Sequence, residues 1–149
     1  MALNSNQIPV YGIYPKTSLG TLSAATAGSL GSLTNTAIVL TAGTNGCIVD
    51  SMVASSTDSA AVNLLVSIGD ITATQARPLG IVNVPISAGN SANTLSVDVI
   101  NSAVLVGMTV DQNGKRIIRL GPSETLRVAT LANMTAGRVC YVTAQYTDL

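Results

Sequence analysis

Residues 37–70 read AIVLTAGTNGCIVDSMVASSTDSAAVNLLVSIGD, and this stretch decides the fold. Three apolar runs are separated by a Thr-Asn-Gly turn and by a small polar loop. In the third run the apolar side chains take every second position from Val62 to Ile68, whereas Asn63 and Ser67 fall between them. This alternation is typical of a half-buried strand. The stretch therefore predicts three consecutive antiparallel strands joined by tight turns.

Further strands follow the same pattern of apolar runs bounded by glycine, proline and asparagine. Eight are predicted, at residues 37–41, 47–54, 62–68, 79–86, 95–110 with a break near Asn101, 115–120, 125–131 and 138–146. Many short strands predict an all-β, antiparallel β-sandwich, and eight strands after an arm favour the jelly-roll type. An immunoglobulin-like sandwich is the alternative. Pro85 in the fourth predicted strand indicates a sheet edge or a bulge, because proline cannot donate to the ladder.

The chain of 149 residues is long enough for one domain with its own core. Residues 1–35 have no sustained hydrophobic period, and Pro9, Pro15 and several glycines disfavour a helix there. We expect an extended N-terminal arm over residues 1–35 and a jelly-roll β-sandwich domain over residues 36–149. A disordered tail is the alternative for the first segment.

The composition points to assembly more than to chemistry. Only 9% of the residues are charged, the net charge is zero and the mean hydropathy is +0.46. A balanced charge gives no field that would attract nucleic acid or an anionic membrane. A chain with so few charges favours burial of its surface against other chains. The alternative is that Ser, Thr, Asn and Gly cover the surface. We expect a homo-oligomer, with a trimer as the first choice. Leu65 and Ile118, on the outer face of the sheet, are the expected interface residues.

Catalytic constellations are not found in the sequence. The chain has no histidine, which excludes Ser-His-Asp and Cys-His catalysis and histidine metal ligands. Glu124 is the single glutamate, which argues against a carboxylate pair in a cleft. The DQNG motif at residues 111–114 is similar to the start of a calcium loop but lacks the later ligands, so a hairpin turn of type I′ is favoured. We expect no enzyme, cofactor, metal or small-molecule substrate.

The N-terminal sequence and the two cysteines indicate the cellular compartment in which the chain is synthesised. The N-terminus has neither a basic segment followed by an apolar one nor an apolar run long enough to span a membrane. Synthesis in the cytoplasm is therefore expected. Cys47 and Cys140 are then expected to be reduced, each as a small buried hydrophobic residue, with a disulfide between them as the alternative.

Two long stretches carry a family resemblance. They are TAGTNGCIVDSMVASSTDSAAVNLLVSIGD at residues 41–70 and RLGPSETLRVATLANMTAGRVCYVTAQYTDL at residues 119–149. Their order of turns and strands resembles that of small structural proteins of tailed bacteriophages, and the chain looks like a capsid decoration, or cement, protein with a jelly-roll body. The shared motifs are turn and strand patterns that also occur in β-sandwiches of phage tails and fibres.

The resemblance implies a position on the outer surface of a phage head, with synthesis in the host cytoplasm. Each subunit would bind the major capsid protein and bridge neighbouring capsid subunits. On this hypothesis Val10, Tyr11, Ile13 and Tyr14 are the expected anchors of the arm, because tyrosine combines a large buried area with a polar tip.

Two other classes stay open. A tail- or fibre-associated, carbohydrate- or receptor-binding module is one, although the sequence offers only four tyrosines and no tryptophan for stacking on a sugar. A main shell protein of a small virus is the other, although the arm carries only Lys16 as a basic residue.

Overall fold

A computed structural model describes residues 15–23, 27–70, 72, 74–102, 104–105 and 108–149. Within these ranges the chain forms ten β-strands and no helix. They are β1 (Pro15–Ser23), β2 (Ala37–Thr41), β3 (Cys47–Ser56), β4 (Val62–Gly69), β5 (Ala76–Val84), β6 (Val97–Asp98), β7 (Thr109–Val110), β8 (Arg116–Leu120), β9 (Thr125–Thr130) and β10 (Val139–Asp148). The described residues hold no helix long and apolar enough to cross a membrane.

The strands form two antiparallel sheets that enclose one core. Sheet A has the order β1-β10-β3-β8-β7, with β6 also paired to β3, and sheet B has the order β2-β9-β4-β5. β8 pairs with the beginning of β3 and β6 pairs with its second half, so the two short strands share one edge of β3. The predicted antiparallel β-sandwich is confirmed.

Strand pairing follows a nested order along the chain. β1 pairs with β10, β2 with β9, β3 with β8 and β4 with β5. The first strand thus pairs with the last strand, and the second strand pairs with the last but one. This is the order that results when one long hairpin is wound around the core. The jelly-roll type stays a prediction, and this order agrees with it.

The core is aliphatic, as the absence of phenylalanine and tryptophan requires. The predicted inner face of β4 is confirmed, because Val62, Leu64, Val66 and Ile68 are all buried in the main core. The outer face of the same strand is not exposed to solvent at Leu65. Leu65 is only 1% exposed, although its position alternates with the core residues.

A strap formed by residues 27–36 crosses the outer face of sheet B. Its Gly28 amide donates to the Thr130 carbonyl at 2.8 Å, and its Gly31 carbonyl accepts from the Ala76 amide at 3.3 Å. The strap therefore reaches from β9 across β4 to β5. A Cβ atom on Gly28 would lie 2.6 Å from the Cβ of Ala129, so only glycine permits this close approach.

The strap explains why Leu65 is buried. Leu65 lies opposite Ala129 of β9 and Ile81 of β5, and cross-strand partners point to the same face of a sheet. Gly28 packs on Ala129, and the Arg127 guanidinium donates to Thr36 Oγ1 at 3.0 Å farther along the strap. The outer face of sheet B is thus partly covered by the chain itself.

Several predicted boundaries differ from the structure. Residues 15–23 lie within the predicted arm, yet they form β1 and pair along their whole length with β10. Residues 95–110 form only two short strands, β6 and β7. The fourth predicted strand is indeed at a sheet edge, as Pro85 indicated, but β5 ends one residue before that proline.

The DQNG motif forms the predicted hairpin turn between β7 and β8, with a different geometry from the expected type I′ turn. Gly114 has a φ of 77°, whereas Asn113 is not among the residues with positive φ. The Gly114 amide donates to the Asp111 carbonyl and the Asp111 amide to the Lys115 carbonyl. These bonds indicate a type I turn followed by a glycine bulge.

Candidate binding surface

The register of β1, β10 and β3 separates the side chains of sheet A into two faces. Facing the core are buried side chains such as Leu22, Met52 and Val142. The outer face consists of the alternate positions on the three strands. The three central rows of this face hold nine residues, which are Thr17, Leu19, Thr21, Ser51, Val53, Ser55, Tyr141, Thr143 and Gln145.

Three large apolar side chains are exposed on this outer face. Leu19 is 56% exposed, Val53 is 36% exposed and Tyr141 is 41% exposed. Leu19 and Val53 lie in one cross-strand row, on either side of Thr143, and Tyr141 lies in the next row on the middle strand. They form a contiguous group, which is the usual mark of an interaction site when it faces solvent.

None of the nine residues is charged. Charges lie directly beside these nine residues. Asp98 of β6 lies opposite Val53 and accepts from the Asn101 side chain. Asp50 precedes Ser51 on β3, and its carboxylate accepts from the Thr147 hydroxyl at 3.4 Å. At the same end Lys16 donates to the Asp148 carboxylate at 2.5 Å, and this bond raises the pKa of the lysine. These charges would lie at the rim of a partner that covers the nine residues.

A buried carboxylate organises the loops at one end of the sandwich. Asp58 is 1% exposed, and its Oδ1 accepts from the Thr135 hydroxyl at 2.6 Å and from the Ala60 amide at 3.1 Å. Its Oδ2 accepts from the Thr135 amide at 3.0 Å, and its carbonyl accepts from the Ser87 amide at 3.1 Å. Asp58 therefore connects the β3–β4 loop with two other loops.

The ionisation of Asp58 follows from these bonds. Burial alone would raise the pKa of the carboxyl group, because it disfavours the charged form. The hydrogen bonds from Thr135, Ala60 and Ser59 outweigh it and hold the pKa below its ordinary value. Asp58 is thus a structural anion, and its oxygens are already occupied by donors of the chain.

Neither interface residue expected from the sequence is on the surface. Leu65 is 1% exposed beneath the strap, and Ile118 is 3% exposed and belongs to the main core. Neither side chain is available for contact with another subunit. The adjacent Ile117 points away from the core but is also buried, with 2% exposure. The expected arm anchors Val10, Tyr11, Ile13 and Tyr14 lie outside the described residues.

The two cysteines are too far apart to form a disulfide. Cys140 lies opposite Ser56, whereas Cys47 lies opposite Asp148, at the other end of β3. The separation is roughly 30 Å at about 3.3 Å per residue. Both thiols are free and buried. Burial raises the pKa of each to about 11, with a smaller contribution from Asp148 beside Cys47 and from Asp58 beside Cys140.

The described residues contain no group of three or more acidic or cysteine side chains that could hold a metal ion. A cleft of about 150 Å³ opens between the two sheets near the end of β1. It is lined by Thr21, Leu22, Ser23, Asn35, Thr36, Ala37 and Thr130, none of which titrates near neutral pH.

No family model and no curated protein matches the sequence. Among solved structures, the chain is similar to a chain of the cyanophage Pam1 capsid asymmetric unit. The two are 21% identical over 99% of each chain, with a TM-score of 0.44. At this identity and TM-score the similarity assigns neither a fold nor a function to the present chain.

Proposed function

We propose that the chain is a structural protein of a phage virion that decorates the outer surface of the head. The observation that carries this proposal is the group of nine uncharged residues on the outer face of sheet A, with Leu19, Val53 and Tyr141 exposed together. A rigid sheet with such a face is suited to binding another protein, and the chain has no histidine for the common catalytic arrangements. The sequence resemblance to phage decoration proteins supports the same class.

The proposal includes the jelly-roll type. Eight of the ten strands pair in the nested order expected for two Greek keys wound into one sandwich. This order brings β1, the first strand, beside β10, the last. The proposed binding face is therefore formed by strands far apart in sequence.

The partner in this proposal is the major capsid protein. The outer face of sheet A would lie on the shell, and residues 1–14 would extend from Pro15, at the start of the edge strand β1. Val10, Tyr11, Ile13 and Tyr14 remain the proposed anchors of this arm. Two contacts from one subunit can bridge two capsid proteins, and binding across a seam stabilises the state of the shell that has the seam.

The proposal includes a closed homo-oligomer, with a trimer as the first choice. Several subunits bound together would hold the shell more tightly than one subunit. Leu65 and Ile118 no longer serve as interface residues, since both are buried within the subunit. Activity in this account is binding alone, without catalysis, a cofactor or a metal.

Two matched variants test the binding face. Tyr141→Lys places a charge on the outer face of sheet A, where the cross-strand partners Thr21 and Ser55 are uncharged. Ile81→Lys places the same charge on the outer face of sheet B. The two side chains are 41% and 37% exposed, so the cost to folding should be similar. Co-sedimentation with expanded heads that lack the protein should show binding by wild type and by Ile81→Lys but not by Tyr141→Lys. Equal binding by both variants would refute the assignment of the face.

A second experiment tests the arm. The chain that begins at residue 15 keeps all described strands and should stay folded, which circular dichroism can verify. It should lose retention on heads relative to the full chain. Undiminished retention would refute the role of Val10, Tyr11, Ile13 and Tyr14. It would not bear on the role proposed for the outer face of sheet A.

One observation favours a second candidate function. Tyr141 is 41% exposed on the sheet, and its cross-strand neighbours Thr21 and Ser55 carry hydroxyl groups. A flat aromatic ring bordered by hydroxyls is the kind of surface on which a sugar can stack. A glycan array distinguishes the two functions, since a decoration protein should bind no sugar.

A further inference from the structure

Among the described residues, none pairs with the outer edge of β1. β1 is the terminal strand of sheet A, and the backbone hydrogen bonds of the described residues connect it to β10 alone. It pairs with β10 over all nine residues without a register shift. β2 approaches β1 from the core side, where Val39 lies close to Gly20. A long regular edge of this kind offers unpaired donors and acceptors to another strand.

The other sheet edges in the described part of the chain carry devices that hinder strand addition. β5 contains Pro78, has a register shift opposite Ser67, and donates from Ala76 to the strap. β2 has only five residues and a register shift. β7 has only two residues. Within β1, the proline and the single charge are confined to the first two positions, Pro15 and Lys16.

The sequence of β1 is nearly palindromic on its outer face. Leu19 is the midpoint of Pro15–Ser23, and Thr17 and Thr21 flank it at equal distances. An antiparallel copy of the strand that overlaps it fully would set Leu19 against Leu19 and each Thr17 against a Thr21. Such apolar and β-branched cross-strand pairs stabilise sheets.

The charge at this edge is compatible with self-pairing. In the full overlap Lys16 would lie opposite Leu22, so the two lysines would be at opposite ends, roughly 20 Å apart at about 3.3 Å per residue. This distance exceeds the screening length of about 8 Å at physiological ionic strength. Each Lys16 is also already paired with Asp148 of its own subunit.

We propose that β1 binds β1 of a second copy of this chain, antiparallel and centred on Leu19, so that two copies of sheet A become one continuous sheet across a twofold axis. The contact is only one strand wide, whereas stable complexes bury about 800 Å² per partner. The pairing is therefore weak in solution and becomes populated at high local concentration. It uses the edge of sheet A and leaves the outer face free.

Sedimentation equilibrium over a wide range of protein concentration tests this pairing. For wild type we expect the mass at least to double from its dilute value, because a monomer carries one β1 edge and a closed trimer carries three. Leu19→Lys and Leu19→Glu should each weaken the pairing at least about tenfold, because the twofold axis sets like charges directly opposite each other. A 1:1 mixture of these variants should restore the doubling, since a lysine then faces a glutamate.

Gln145→Lys is the matched control, because it adds the same charge to an exposed position on the outer face of the neighbouring strand β10. It should retain the doubling. The proposal is overturned if wild type shows no doubling, if the mixture fails to restore it, or if Gln145→Lys abolishes it as Leu19→Lys does. Leu19 is more than half exposed, so thermal melting should confirm that its variants fold. None of these outcomes depends on binding to heads.

Discussion

Replacing Asp58 by asparagine should destabilise the fold far more than the same change at an exposed turn. Asp58 accepts two bonds at Oδ1 and one, from the Thr135 amide, at Oδ2. In Asp58→Asn the amide oxygen can still accept from the two donors of Oδ1, the Ala60 amide and the Thr135 hydroxyl. The new NH₂ group replaces Oδ2 and then faces the Thr135 amide, donor against donor.

The size of the loss follows from these bonds. A donor left without a partner costs about 1–3 kcal/mol, and hydrogen bonds to a charged group contribute more than those to a neutral one. We expect Asp58→Asn to lower the free energy of unfolding by about 2–4 kcal/mol. For a chain of this length that is a decrease in melting temperature of roughly 5–15 °C.

Urea denaturation followed by circular dichroism gives the measurement, with Asp111→Asn as control. The Asp111 carboxylate also accepts two backbone amides, from Asn113 and Lys115, but in the exposed β7–β8 turn. Asparagine is well tolerated in such turns, and we expect a loss below about 1 kcal/mol. Equal losses in the two variants would refute the role given to burial.

The pH dependence gives an independent test of the same carboxylate. The pKa of Asp58 is lowered in the folded chain, so its ionised form stabilises the fold above the ordinary value of about 4. This stabilisation is lost as the pH falls through the lowered value. The difference between wild type and Asp58→Asn should therefore shrink below about pH 4. A difference that stays constant down to the acid transition would contradict the assignment.

Three further results are expected. Gly28→Leu should lower the free energy of unfolding by about 1–3 kcal/mol, since even its Cβ would lie 2.6 Å from that of Ala129; a wild-type value would contradict the described path of the strap. Leu65→Ala should cost about 2–5 kcal/mol in the same assay, because the side chain is fully buried, and a cost near zero would mean that it faces solvent. Cys47 and Cys140 should resist Ellman's reagent at pH 8 until the chain unfolds, because burial raises their pKa to about 11; rapid reaction of the folded chain would refute this.

Hydrophobic period predicted the faces of the strands well but could not reveal what covers them. In β4 the period correctly put Val62, Leu64 and Val66 into the core. The period also correctly put Leu65 on the outer face of the sheet. The inference that Leu65 is exposed was wrong, because the strap of residues 27–36 covers this face. No local sequence pattern predicts such a non-local contact.

β1 was missed for a different reason. Its two leucines, Leu19 and Leu22, lie on opposite faces, and Gly20 takes a core position that an apolar side chain would normally fill. The stretch therefore shows no alternation, and its pairing with β10 depends on residues more than a hundred positions away. By contrast, Tyr141 could have been found, because it falls between the buried Cys140 and Val142.

In the proposed function the chain is encoded by a phage, and the most direct test of this central claim is cryo-electron microscopy of the mature virion of that phage. The account predicts density for the β-sandwich on the outside of the head, with the outer face of sheet A, including Val53 and Tyr141, against the shell. Density for the sandwich only in the tail, or within the wall of the shell itself, would contradict it.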